Sequence, residues 1–179
     1  MITEKEREYL RGLAARQKEL AESDRNRELE KRWTAHNALQ SGEPLAVIET
    51  ETFWGEICPA LQCTDPDARA IEERLLFHLV PAELIGDDRV IPAVHRVPLQ
   101  VQVEEFGMKK EKETSSDTSS AAYQYKHPLK DLETDLGLLK PSTFSHNLST
   151  ARMQADLAEE IFGDILPVEI ENQLSLIHI

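Results

Sequence analysis

Three short apolar runs, spaced by helix-like stretches, constrain this chain more than anything else in it. They are Leu45-Ala46-Val47-Ile48, Arg89-Val90-Ile91-Pro92-Ala93-Val94-His95 and Asp164-Ile165-Leu166-Pro167-Val168-Glu169-Ile170. Strands alternating with helices argue for a parallel α/β sheet covered by helices. The first run follows a Gly42-Glu43-Pro44 turn and is bounded by Glu49. It is too short for a buried helix and predicts a strand covered on both faces. The second run contains a proline, which a strand tolerates only at an edge or a bulge. Strands are therefore expected at 45–49, 89–95 and 165–170.

The stretches between them read as helices. Residues 3–21 open with Thr3 and Glu6 in capping-box spacing, and Leu10, Leu13, Ala14, Gln17, Leu20 and Ala21 follow helical periodicity. A second stretch carries Leu29, Trp33, His36 and Leu39 and stops at Ser41-Gly42. Its apolar repeat is too short for a coiled coil. The dense mixed charge of residues 1–41 predicts a solvated helical N-terminal extension laid on a larger body. Asp65-Pro66 opens another helix, with Ile71, Leu75, Leu76 and Leu79 on one face and Pro81 at its close. Between about 99 and 126, alternation around Val101/Val103 and Tyr123/Tyr125 flanks a Ser/Thr-rich tip, which predicts an inserted β-hairpin. Leu129, Leu132, Leu136 and Leu139 predict a helix ending before Pro141. Met153, Leu157, Ala158 and Ile161 predict one stopped by Gly163.

Charge and cysteine content narrow the function class. Twenty Lys+Arg against 33 Asp+Glu leave a formal charge of −13, which disfavours nucleic acid and anionic membrane as partners. No window approaches the ~18 apolar residues of a membrane span, and Met1–Leu20 is too charged for a signal peptide. Cys58 and Cys63 make no disulfide scaffold, so a reduced, cytoplasmic protein is expected. The same two thiols lack the spacing and nearby histidines of a zinc knuckle. No Gly-rich phosphate loop or nucleophile elbow occurs. The last six residues, Leu174-Ser175-Leu176-Ile177-His178-Ile179, match a translated sequencing adapter. Residues 174–179 are accordingly set apart from the fold, and the natural sequence is expected to be truncated near Gln173.

With its strands so placed, the chain resembles the first part of the uroporphyrinogen decarboxylase superfamily. That superfamily includes the decarboxylases of tetrapyrrole synthesis and the cobalamin-dependent methyltransferases, all (β/α)8 TIM barrels. The resemblance is carried by Gly42-Glu43-Pro44, Phe106-Gly107-Met108, His127-Pro128-Leu129 and Phe162-Gly163-Asp164-Ile165-Leu166-Pro167-Val168, and covers most of 30–173. Trp54-Gly55-Glu56-Ile57-Cys58-Pro59 and the helical extension look most like divergent members from anaerobic bacteria. The implied fold is the N-terminal part of a barrel over 42–173, with the hairpin as an insert.

Departures from the family are informative. Where the decarboxylases carry a pair of arginines after the first strand, this chain has Glu49, Glu51 and Glu56 and no base. Two like charges ~4 Å apart cost on the order of 4 kcal/mol at an effective dielectric of ~20, so this loop would repel a polycarboxylate. The family's catalytic aspartate, near the end of the second strand, is replaced by His95, with Asp87 reachable in a slipped register.

Barrel active sites gather where strands end. That logic selects His95 and Glu49 as catalytic candidates, and Trp54, Glu51 and Arg96 as substrate-binding candidates. Glu169 or Glu171 would join them from the third strand. His95 alone exchanges a proton near neutral pH without a shifted pKa. The resemblance implies a methyltransferase that moves a methyl group to or from a corrinoid held on a partner protein. It places any zinc ligands, a His-x-Cys and a later Cys, beyond Gln173, and allows a homodimer of the full-length enzyme. The alternatives are a decarboxylase of another carboxylated substrate and a non-catalytic module whose charged helices dock a partner.

Overall fold

The computed structural model describes residues 2–40, 42–108, 111–114 and 123–172. They form mixed helix and sheet in two units, one built on Met1–Val97 with Arg152–Glu171, the other on Pro98–Ala151. The first unit begins with α1 (Glu4–Ala21), α2 (Asp24–Asn37), the short α3 (Trp54–Ile57) and α4 (Pro66–Leu84). Its remaining elements are β1 (His95–Pro98), α6 (Leu148–Phe162) and β6 (Val168–Glu171). The second unit holds β2 (Val101–Glu104), β3 (Lys112–Thr114), β4 (Tyr123–Tyr125), α5 (Leu132–Asp135) and β5 (Thr143–His146).

Helix α1 starts with the expected capping box. The Glu6 N–H donates to Thr3 Oγ1 at 3.2 Å, and the Thr3 N–H donates to Glu6 Oε2 at 2.8 Å. Glu6 Oε1 accepts from the Thr64 N–H (2.7 Å), the Thr64 hydroxyl (3.0 Å) and the Asp65 N–H (3.2 Å). These donors, the Thr3 N–H foremost, hold the Glu6 carboxyl far below the usual carboxylate range. Replacing Thr3 with alanine removes the cap and is expected to cost about 1 kcal/mol in urea denaturation.

Buried residues of α1 fall at spacings of four, four, three and four: Glu6, Leu10, Ala14, Gln17 and Ala21. That stripe packs α1 into the core rather than beside it. Leu10 and Ala14 meet Ala68, Ile71 and Leu75 of α4 and Ala158, Ile161 and Phe162 of α6. The segment expected as a solvated extension therefore supplies core residues. Arg11 ties α1 to the end of α6, with a two-pronged contact to Asp164 (2.6 and 2.7 Å) and a bond to the Ile161 carbonyl (2.7 Å).

The run Leu45–Ile48 is not a buried strand. It belongs to no helix or strand, and Val47 and Ile48 are 48% and 44% exposed. Side chains stand in for a neighbouring strand. The Ala46 N–H donates to Asp88 Oδ2 and the Ile48 N–H to Asp87 Oδ2, both at 2.9 Å, and Arg89 donates to the Ile48 carbonyl at 2.7 Å. Helix α4 begins as expected, with Asp65 Oδ1 accepting from the Asp67 and Ala68 N–H groups. It does not close at Pro81. The helix runs on to Leu84 and ends where Gly86, at φ +66°, donates its N–H back to the Pro81 carbonyl.

The second strand starts later than its sequence suggests. Ile91 is gripped by the Asn26 amide, which donates to the Ile91 carbonyl (3.0 Å) and accepts from its N–H (2.8 Å). Gln17 Nε2 reaches the carbonyls of Pro92 and Val94 at 2.9 and 3.3 Å. Only from His95 is the backbone available to another strand, and there its N–H donates to the Pro167 carbonyl at 2.8 Å. Strands β1 and β6 form one two-stranded sheet and begin side by side. β6 starts at Val168 rather than 165, because the Ile165 and Leu166 N–H groups turn back to the Phe162 carbonyl.

In the second unit β3 and β4 pair antiparallel, Lys112 opposite Tyr125, as a hairpin within 99–126 requires. Its Ser/Thr-rich tip lies outside the described residues. Val101 and Val103, expected in that hairpin, belong instead to β2, whose antiparallel partner is β5, with Val101 opposite His146. The helix expected over 129–139 is reduced to α5 and a 3-10 turn, Leu136–Leu138. Among the described residues the strands thus form three two-stranded sheets.

Candidate functional site

His95 opens β1, and its side chain points into the first unit. It is 2% exposed and meets the Phe162 ring edge-on, with centroids 5.2 Å apart and planes at 80°. Asp67, Ala70, Ile71 and Arg74 from α4 and Gln154 and Leu157 from α6 complete a cavity of about 10 Å3 around it. That space is roughly one water molecule. Burial, then the positive Arg74 and His78, push the His95 pKa down to about 4. The imidazole is therefore neutral at neutral pH. Its Nε2 is buried with no hydrogen-bond partner among the described residues. The expectation that His95 titrates unshifted near neutral pH is thus overturned by its burial, and what the geometry leaves it is hydrogen bonding to a single water.

The other candidates lie apart from this pocket in chemistry. Arg96 is exposed, with Nε 3.6 Å from Glu171 Oε1, so the second and third expected strands do bring a cation and an acid together. Glu49 and Glu51 are exposed, and among the described residues neither shares a hydrogen bond or ion pair with His95 or Arg96. Trp54 is half-buried at the start of α3, with its ring 5.5 Å from Phe77 and tilted by 56°. The Arg89 guanidinium sits 5.8 Å from the Phe77 ring centre, so the two rings and the cation form one cluster. Asp87, the slipped-register alternative, is engaged by the N–H groups of Ile48 and Arg89 and acts as a clamp.

Sequence reasoning overlooked Glu72. It is fully buried and accepts from the Tyr9 hydroxyl (3.1 Å) and from the N–H groups of Gln62 (2.7 Å) and Cys63 (2.9 Å). Burial followed by this carboxylate pushes both the Tyr9 hydroxyl and the Cys63 thiol up to about 12. Cys63 is thus a protonated core thiol and no nucleophile. The available signal was position: Glu72 lies one turn before Leu76 on the apolar face of α4.

Among the described residues no group of three His, Cys, Asp or Glu side chains is arranged to hold a metal ion. The zinc ligands implied by the resemblance are expected beyond Gln173, outside these residues. No helix among the described residues is long and apolar enough to cross a membrane. No family model, curated protein or solved structure matches the chain.

Proposed function

We propose that this chain forms part of a uroporphyrinogen decarboxylase-superfamily barrel of the methyltransferase branch, acting on a methyl group that a corrinoid carries. The observation that supports this reading most is the adjacency of β1 and β6. They correspond to the second and third expected strands and begin side by side, and the chain between them runs through the second unit and then α6, so that the second unit stands as an insertion after the first of the two strands. Strand, helix and neighbouring strand in that order is the repeating unit of a (β/α)8 barrel. The acidic stretch Glu49–Glu56 favours methyl transfer over decarboxylation of a polycarboxylate. In this reading Trp54 and Phe77 offer an apolar wall, Arg96 pairs with Glu171, and His95 keeps a neutral imidazole at the start of β1.

Equilibrium dialysis against methylcobalamin and, separately, against a carboxylated porphyrin tests the proposal. Retention of the corrinoid, weakened by Trp54→Ala, is expected. Retention of neither removes the reading, and retention of the porphyrin alone transfers it to the decarboxylase branch.

A further inference from the structure

A cavity of about 50 Å3 at the start of α2 has chemistry that the proposed function leaves unused. Its polar side is formed by Ser23, Arg25, Asn26, Asp87 and Arg89 against apolar walls, and the Ser23 hydroxyl is engaged, donating to the Leu20 carbonyl and accepting from the Asn26 N–H. Hydrogen-bond accounting over those polar groups leaves one kind of need. The Asn26 amide is fully engaged by Ala21 and Ile91. The Asp87 carboxylate, its side chain 4% exposed, accepts from the Ile48 and Arg89 N–H groups and lies 3.8 Å from the Arg89 guanidinium. Arg25 donates through Nη2 to the carbonyls of Gly86 (2.5 Å) and Asp87 (2.8 Å). Arg89 donates through one terminal nitrogen to the Ile48 carbonyl, but its Nε–H is buried with no partner among the described residues.

The residual capacity is thus donor capacity on two guanidiniums, set against one carboxylate that is already engaged. Two positive charges and one negative leave the cavity with a net positive charge, which a water molecule would hydrate but not neutralise.

We infer that this cavity binds a small oxyanion of the carboxylate class between Arg25 and Arg89. Guanidinium groups present paired donors matched to a carboxylate. The space corresponds to roughly four water molecules, enough for formate or acetate and far too small for a nucleotide or a tetrapyrrole. The apolar walls suit a short alkyl group rather than a fully hydrated ion. The inference does not rest on the barrel reading: its residues lie outside the His95 pocket, and Arg89 alone is shared with the Trp54 cluster, its guanidinium 5.8 Å from the Phe77 ring centre.

The test is a titration of the intact chain with sodium acetate, followed by nitrogen-15 NMR of the arginine Nε–H groups. Sodium chloride at matched ionic strength and sodium phosphate are the parallel arms. The Arg89 Nε–H signal is expected to move saturably with acetate and to stay put in chloride. Arg25→Gln changes an exposed side chain, so its fold can be checked by circular dichroism. It is expected to weaken acetate binding about ten-fold. The native chain's melting temperature rises with acetate, and the variant's rises less. A non-saturating shift, an equal shift in chloride, or undiminished binding in Arg25→Gln overturns the site. Saturation by phosphate alone overturns the carboxylate assignment.

Discussion

Phe162→Ala is expected to lower unfolding free energy by roughly 3–5 kcal/mol, read as a fall in urea midpoint at constant slope. Phe162 is fully buried, and it shares one core cluster with Leu10, Leu75, Ile161 and Leu166. Truncation there leaves a cavity in the cluster to which α1, α4 and α6 all contribute. A loss of that size is a large part of the ~5–15 kcal/mol by which a domain is ordinarily stable. The same change strips the edge-on aromatic cover from His95. The imidazole then regains water, and its pKa is expected to climb from about 4 toward 6.5. A midpoint shift worth less than about 1 kcal/mol would mean that the ring does not fill the core as described.

Acidification is the second large effect. His95 titrates near 4 in the folded chain and near 6.5 when unfolded. Between those values the unfolded state binds the extra proton, so stability is complete above about 6.5 and declines as pH falls toward 4. The full loss through this one residue is about 3 kcal/mol, at 1.36 kcal/mol per unit. His78, pushed down to about 4 by burial and then by Arg89 and Arg96, acts in the same direction. Urea midpoints at pH 7, 5.5 and 4.5 measure the decline. His95→Gln keeps a neutral side chain and cannot gain the charge, so its curve is expected to be flatter. Identical slopes for the two proteins would exclude His95 as the source.

Features that depend on neighbours in the chain were legible. Thr3 with Glu6, and Asp65 with Pro66, announce helix starts through groups three residues apart or fewer, and both caps form as the spacing predicts. The apolar stripes of α4 and α6 were equally visible. What the sequence hid depends on remote side chains. Leu45–Ile48 has the composition of a buried strand, yet its backbone is held by Asp87 and Asp88, some forty residues on. Asn26 and Gln17 likewise occupy the backbone of 91–94 and delay the second strand. The partner of β2 lies beyond the hairpin expected to contain it, and no local pattern identifies β5. Of the site, His95 was expected to close a strand over 89–95, and it opens β1 instead, because Asn26 and Gln17 hold the backbone before it. Its enclosure by Phe162 and α4 was not legible, since it requires three elements to be assembled first.

One carboxylate, that of Glu6, carries a consequence for how the molecule opens. It fastens the first turn of α1 and, through Thr64 and Asp65, the entry to α4. Helix ends usually fray independently, each at small cost. Here the two starts share a single latch, so neither loosens without offering the other its freedom. Local opening at the N-terminus and at the α4 entry is thereby a joint event, and two helix starts some sixty residues apart in sequence behave as one cooperative element.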